Sequence, residues 1–129
     1  MALVAPDLCN LVEPLLGAAY ADYDCWDLVR HLYQQGFGLD LARDTERAAI
    51  AFQEVWYRDN SADPLTVIQP WDLVIMDEHD LLPVGSHVGV ALDGQQFVHA
   101  RRSETGVALG RLRTWKPRLL QVARYRELL

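Results

Sequence analysis

The feature that most constrains this chain is a change in the period of its apolar residues, from helical spacing before about residue 60 to strict alternation after it. Residues 7–17 place Leu8, Leu11, Val12, Leu15 and Leu16 three and four apart, with Asp7 set to cap a first helix and Gly17 to stop it. Asp24 opens a second run through Leu28, Val29, Leu32 and Tyr33, which ends at Gly36 and Gly38. A third stripe, Ala48, Ala49, Phe52, Val55 and Trp56, lies opposite Arg47, Gln53 and Glu54 and predicts a helix from Asp44 or Thr45 to Arg58, closed by the turn-forming residues 60–64. Beyond it, residues 72–76, 86–92, 95–100 and 119–126 read as strands, with Asp93-Gly94 as a hairpin signal. Helices first and antiparallel strands second make an α+β arrangement. The chain shows no repeat, low-complexity tract or interdomain linker, so residues 1–129 read as a single domain.

Charge removes some classes of partner. Twelve basic and eighteen acidic residues give a net charge of −6, which argues against nucleic acid or an anionic membrane. The balance is uneven: residues 1–100 carry −12 and residues 101–129 carry +6, so any basic surface is C-terminal. No basic residue precedes Arg30, and Pro6, Asp7, Asn10, Glu13 and Pro14 interrupt the opening stretch. The expectation is therefore a chain without a signal peptide, made in the cytoplasm. No apolar run approaches the roughly 18 residues of a membrane span.

The two cysteines cannot form a disulfide framework, and they differ in placement. Cys9 falls between Leu8 and Leu11 with no charged partner and reads as a core or surface thiol. Cys25 falls in the first turn of the second helix, where unpaired N–H groups and the positive dipole end favour a thiolate. Asp22, Asp24 and Asp27 oppose ionisation, so a nucleophilic Cys25 needs a nearby imidazolium to offset them. The alternative is a small buried hydrophobe.

Four histidines are available to that thiol. His31 lies on the polar side of the second helix and His79 in an acidic loop, and both read as solvated. His87 and His99 lie on the two strands of the hairpin. With a two-residue Asp93-Gly94 loop their rings face opposite sides. With a three-residue Leu92-Asp93-Gly94 loop, Gly94 left-handed, His87 pairs with His99 on a face shared with Gly89, Ala91 and Phe97. The other face is then uniformly apolar, with Val88, Val90, Leu92, Val98 and Ala100, which favours the longer loop. Gly89 and Ala91 leave space beside the rings, either for another reacting group or for a tightly packed helix. One thiol at a helix start and two histidines on one strand face match the thiol, base and orienter of an acyl-transfer enzyme. A zinc site from Cys25, His87, His99 and an aspartate is the weaker reading, because no CxxC, HxxxH or HExxH spacing accompanies them; no metal or cofactor is expected.

Four segments in order, Tyr23-Asp24-Cys25-Trp26-Asp27-Leu28-Val29, Gln69-Pro70-Trp71-Asp72-Leu73-Val74, His87-Val88-Gly89-Val90-Ala91-Leu92 and Phe97-Val98-His99-Ala100, resemble the NlpC/P60 cysteine peptidases over roughly residues 16–126. The resemblance implies a papain-like α+β fold with the nucleophile opening a helix packed on an antiparallel sheet. It also implies hydrolysis of peptidoglycan stem peptides, commonly between D-glutamate and a diamino acid. Carried over by residue, Cys25 matches the nucleophile, His87 the general base, and His99 the polar residue orienting that base. Tyr20 matches an upstream tyrosine that helps stabilise the oxyanion, although the glycine-rich segment usual between it and the Asp-Cys pair is nearly absent. Arg101 and Arg102 follow His99 and could hold stem-peptide carboxylates.

Trp26-Asp27 stands where Ser-Gly is common, and Trp71 where Pro-Gly-Asp has its glycine. These aromatic replacements resemble the phage-tail and tail-assembly branch, which implies a virion tail, tail-tip proteins as partners, and action on the periplasmic cell wall. A catalytically silent tail subunit and a secreted toxin amidase remain open as alternatives. A permuted lipid acyltransferase fits less well, because Cys25 precedes the histidines.

Overall fold

The computed structural model describes residues 5–21, 23–77, 86–101 and 106–129. Helix α1 (Leu8–Val12) is capped by Asp7, whose Oδ1 accepts from the Cys9 N–H at 3.0 Å. A single 3-10 turn extends it to Leu15. Helix α2 (Cys25–Phe37) is the longest, capped by Asp24 and closed by Gly38 at φ +65°. It runs through Gly36, where the Trp71 ring packs so closely that a Cβ would lie 2.5 Å from it. Short helices α3 (Thr45–Ala48), α4 (Pro64–Val67) and α5 (Leu112–Trp115) connect the strands.

Six strands form one antiparallel sheet: β1 (Phe52–Tyr57), β2 (Leu73–Asp77), β3 (Ser86–Ala91), β4 (Gln96–Arg101), β5 (Gly106–Arg111) and β6 (Leu119–Tyr125), in the order β1-β6-β2-β3-β4-β5. Alternation along each strand splits the apolar residues into two cores. On one face Leu73, Val90, Val98, Ala100 and Ala123 pack against Leu28, Val29, Leu32 and Tyr33 of α2. On the other, Val74, Met76, Ala91, Phe97 and Val122 pack against Leu112 and Trp115 of α5 and against Ile68. Burying each large apolar side chain contributes about 1.5–3 kcal/mol, so the sheet is held from both sides. The α+β class expected from the sequence is the one observed.

Two local expectations are corrected. The helix predicted to Arg58 stops after one turn: a 3-10 turn spans Ala49–Ala51 and β1 begins at Phe52. Phe, Val, Trp and Tyr dominate this stretch and favour a strand when a partner such as β6 is present. The helical look of its pattern comes from a bulge at Val55, between Glu54 and Trp56. Because of that extra residue, Phe52 enters the α2-side core and Trp56 the opposite one. Strand β5 also lies where no strand was expected.

The hairpin register is the second correction. Val90 pairs with Val98 and Ala91 with Phe97, two residues away from the expected pairing of His87 with His99. The loop begins one residue later because Asp93 Oδ1 accepts from the N–H groups of Gln95 at 2.7 Å and Gln96 at 2.9 Å, and Gly94 is not left-handed. A shift of two keeps every side chain on its face, so the histidines still share one, now as diagonal neighbours.

The turn into β2 contains an unusual tryptophan. Trp71 has φ +76°, the left-handed conformation that explains why a glycine is common there. Its fully buried ring packs edge-on against Tyr33 and Phe37, and its Nε1 donates to the Pro6 carbonyl at 2.9 Å. The Tyr33 hydroxyl donates to the Trp71 carbonyl at 2.5 Å. Next to it, buried Asp72 forms a two-pronged ion pair with Arg124 of β6 at 2.8 and 2.9 Å, and Asp72 Oδ2 also accepts from the Gln69 N–H.

Candidate active site

Cys25 is the first residue of α2 and only 6% exposed. Its helix start is fixed by Asp24, whose Oδ1 accepts from the Asp27 N–H at 2.7 Å. Burial raises the thiol pKa above its ordinary value; the Val88 N–H opposes this, the Asp24 charge adds to it, and the N–H groups of Trp26 and Cys25 itself oppose it more weakly. Of the two described aspartates among the three expected to hold the thiol neutral, Asp24 does so. Asp27 is turned toward Arg43 at 3.2 Å and Arg30 at 3.9 Å, and Asp22 lies outside the described residues.

The Val88 amide ties this thiol to β3, and the residue before Val88 is His87. His87 and His99 are each 1% exposed, and His87 Nε2 lies 2.8 Å from His99 Nδ1. Burial, then the Arg101 charge, lowers the His87 pKa to about 4. Burial, then the charges of His87 and Arg101, lowers that of His99 to about 3. The thiol is pushed up and the imidazoles down, so both shifts oppose the thiolate–imidazolium pair expected from the sequence. At neutral pH the resting groups are neutral.

The space expected beside Gly89 is filled. A Cβ on Gly89 would lie 2.7 Å from the Phe97 ring and 3.3 Å from His99 Cβ. Trp115 closes the histidine face, its ring 5.4 Å from that of His99 and 6.0 Å from that of His87. Gly89 therefore allows the close approach of β4, and Ala91 packs in the core shared with Leu112 and Trp115 of α5.

Open volume lies on the opposite face of the sheet, in a cavity of about 400 Å³ lined by both Cys25 and His87. Its other walls are largely apolar, with Phe52, Leu73, Ile75, Val88 and Ala123, and Trp26 borders it with Nε1 donating to the Ala42 carbonyl at 3.1 Å. Glu54 and Gln121 supply polar groups on the β1–β6 side. The sequence does not reveal Glu54 as a site residue because its segment reads as a helix with Glu54 on the solvent side, nor Gln121, because the pairing of its strand with β1 is not legible. The β-forming residues around Glu54 are the signal that places it on a strand.

Other candidates fall elsewhere. Tyr20 packs against the α2-side core and is absent from the described cavity lining. Arg101 ends β4 with its guanidinium 5.0 Å from the Trp115 ring centroid, on the histidine side. His31 is half-buried and makes an edge contact with Tyr23, and Cys9 is exposed. Arg102 and His79 lie outside the described residues. Among the described residues no group of three or more His, Cys, Asp or Glu is arranged to hold a metal ion, and no helix is long and apolar enough to cross a membrane.

Comparison with known proteins places this geometry. Solved structures with the same fold include the NlpC/p60 domain of the peptidoglycan hydrolase SagA, at 20% identity and TM-score 0.63 over 92% of this chain and 96% of that one. NlpC2 from Trichomonas vaginalis gives 21% identity and TM-score 0.68 over 92% of this chain, and the endolysin LysIME-EF1 gives 19% and 0.55, also over 92%. An NLP/P60 family protein of Staphylococcus aureus, described as similar to lipoprotein, is 25% identical with TM-score 0.58 over 79% of this chain. The chain spans about a third of that protein's length, 44% of the Trichomonas chain and 62% of the endolysin. No match was found among curated proteins. The sequence profile of the NlpC/P60 family matches residues 15–124, nearly the whole chain, and the chain belongs to that family.

Proposed function

We propose that this domain is a cysteine peptidase that hydrolyses amide bonds in peptidoglycan stem peptides, at the bond between D-glutamate and the diamino acid. The observation that carries the reading is one cavity lined by a cysteine at a helix start and by a histidine bonded to a second histidine at 2.8 Å. Named relatives point the same way: SagA is a peptidoglycan hydrolase and LysIME-EF1 an endolysin.

In this scheme His87 is the general base, Cys25 the nucleophile and His99 the residue that orients His87. A neutral His87 carrying its proton on Nε2 donates to His99 Nδ1, which leaves Nδ1 with the lone pair that takes the thiol proton. As that proton leaves, the sulfur bonds to the scissile carbonyl carbon and the carbonyl electrons move onto oxygen. The N–H groups of Cys25 and Trp26, at the positive end of α2, stabilise that charge. Tyr20 has no step here.

The tetrahedral intermediate collapses with cleavage of the C–N bond, and the His87 imidazolium gives its proton to the leaving amine. Its depressed pKa makes it a strong acid for this step. Water, deprotonated by His87, then hydrolyses the thioester and restores the thiol.

The setting we propose is a phage or prophage tail acting on the periplasmic wall, with tail-tip proteins as partners, supported by Trp26 and Trp71 at the positions noted above. A catalytically silent tail subunit is the second reading, and the neutral, buried resting thiol favours it. Digestion of purified peptidoglycan, with the fragments identified by mass spectrometry, separates the two. The hydrolase reading predicts fragments with a new amino group on the diamino acid; intact stem peptides would favour the silent subunit.

A further inference from the structure

The cavity carries a charge that the mechanism does not use. Glu54 lines it from β1, and its Oε2 accepts from Gln121 Nε2 at 2.7 Å. Among the described residues no cation pairs with it. Among the described lining residues Glu54 is the one carboxylate, and His87 is the one basic side chain.

Strand register fixes where that carboxylate stands. Val88 lies opposite Ile75 and Ile75 opposite Gln121, while Glu54 lies opposite Ala123 on the outermost strand. At about 4.8 Å per strand, Gln121 is roughly 10 Å and Glu54 roughly 14 Å across the sheet from Val88, whose N–H reaches the thiol. Between them lie the apolar side chains of Ile75, Leu73 and Ala123. A peptide crossing this floor meets the nucleophile on the β3 side and an exposed carboxylate on the β1 side.

We infer that Glu54, held by Gln121, is a specificity-determining residue that binds an alkylammonium group of the peptide substrate. The span matches about three to four residues of extended chain, at roughly 3.3–3.6 Å each, so the ammonium is the terminal amine or the diamino acid side chain of a short peptide. A neutral amide there leaves the carboxylate without a counter-charge, and an acidic group is repelled. The inference rests on the peptidase reading for which bond reacts, and on the cavity alone for recognition of the amine.

The test uses the full chain carrying Cys25→Ala, so that binding is measured without turnover. Calorimetry compares a lysine-containing stem tetrapeptide having both amines free with the same peptide acetylated at the α-amine only or at the side-chain amine only. Acetylating the recognised amine is expected to weaken binding about three- to tenfold, which also identifies that amine. Adding Glu54→Gln brings the ratio to about one, and Glu54→Lys inverts it. A ratio unchanged by Glu54→Gln, insensitivity to both acetylations, or no binding of any of the peptides overturns the inference. If the native chain fails to cleave peptidoglycan but the amine preference and its loss in Glu54→Gln persist, the peptidase reading falls and recognition by Glu54 stands.

Discussion

At the scale of single residues, the groups around Cys25 set its chemistry through burial more than through charge. Buried and beside Asp24, the thiol is neutral at rest, and His87 is neutral because its ring is buried near Arg101. The rate of Cys25 alkylation by iodoacetamide is therefore expected to rise with pH up to and beyond the ordinary thiol range; a plateau already present at pH 6 would reveal a preformed ion pair. His87→Ala is expected to reduce cleavage by about 10²–10⁴-fold, the usual worth of a positioned general base. For kcat/KM the acid limb should fall near pH 4, where His87 takes up a proton, and Arg101→Gln should move that limb upward by removing a repelling charge. An acid limb unmoved by Arg101→Gln would contradict this account of the histidine's environment.

At the scale of elements, the turn into β2 combines strain with its compensation. The left-handed backbone of Trp71 costs about 1–2 kcal/mol, and burying its ring against Tyr33 and Phe37 returns more. Trp71→Gly is thus expected to lower stability by about 2–3 kcal/mol in urea unfolding despite relieving the strain; a neutral result would show that the ring contributes little. Arg124→Met, which leaves Asp72 buried without its ion pair, should cost about 3–5 kcal/mol in the same measurement. The helices at 8–12 and 25–37 were legible in the sequence because caps and period agreed, and four strands because alternation is local. Strand β1 was not, since one bulged residue gave it a helical period and its partner β6 lies some seventy residues away. The histidine pair was legible as a shared face while its register was not, because the Asp93 side chain, rather than Gly94, sets the loop. Within the site, Cys25, His87 and His99 were readable from position; the Val88 amide, Glu54 and Gln121 were not, because only the assembled sheet brings them to the cavity.

At the scale of the whole molecule, the sheet keeps a dry face on which the histidine pair packs against Trp115, and an opposite face on which the cavity opens, with His87 belonging to the cavity lining as well. The dry face has a thermodynamic consequence. Both histidine pKa values are lower in the fold than in the unfolded chain, so their contribution is complete above about pH 6.5 and is lost as pH falls toward about 4 and about 3. Each ring adds a slope of up to about 1.4 kcal/mol per pH unit within that window. Urea midpoints are therefore expected to fall between pH 6.5 and 4.5 in the native chain, and to fall less in a His87→Gln/His99→Gln variant; equal slopes would contradict the burial of neutral rings. The charges of the two segments also stand apart in the site, since Arg101 of the basic C-terminal segment lies on the histidine side, while the acidic N-terminal portion supplies Asp24 beside the thiol and Glu54 at the far, β1 side of the cavity. The role proposed for Cys25, as nucleophile of a stem-peptide hydrolase, is tested by the cleavage rate of purified muropeptides by the native chain and by Cys25→Ala at equal concentration. The native chain is expected to cleave them, with a loss on the order of 10⁴-fold or more in the variant. Undiminished cleavage by Cys25→Ala would contradict that role.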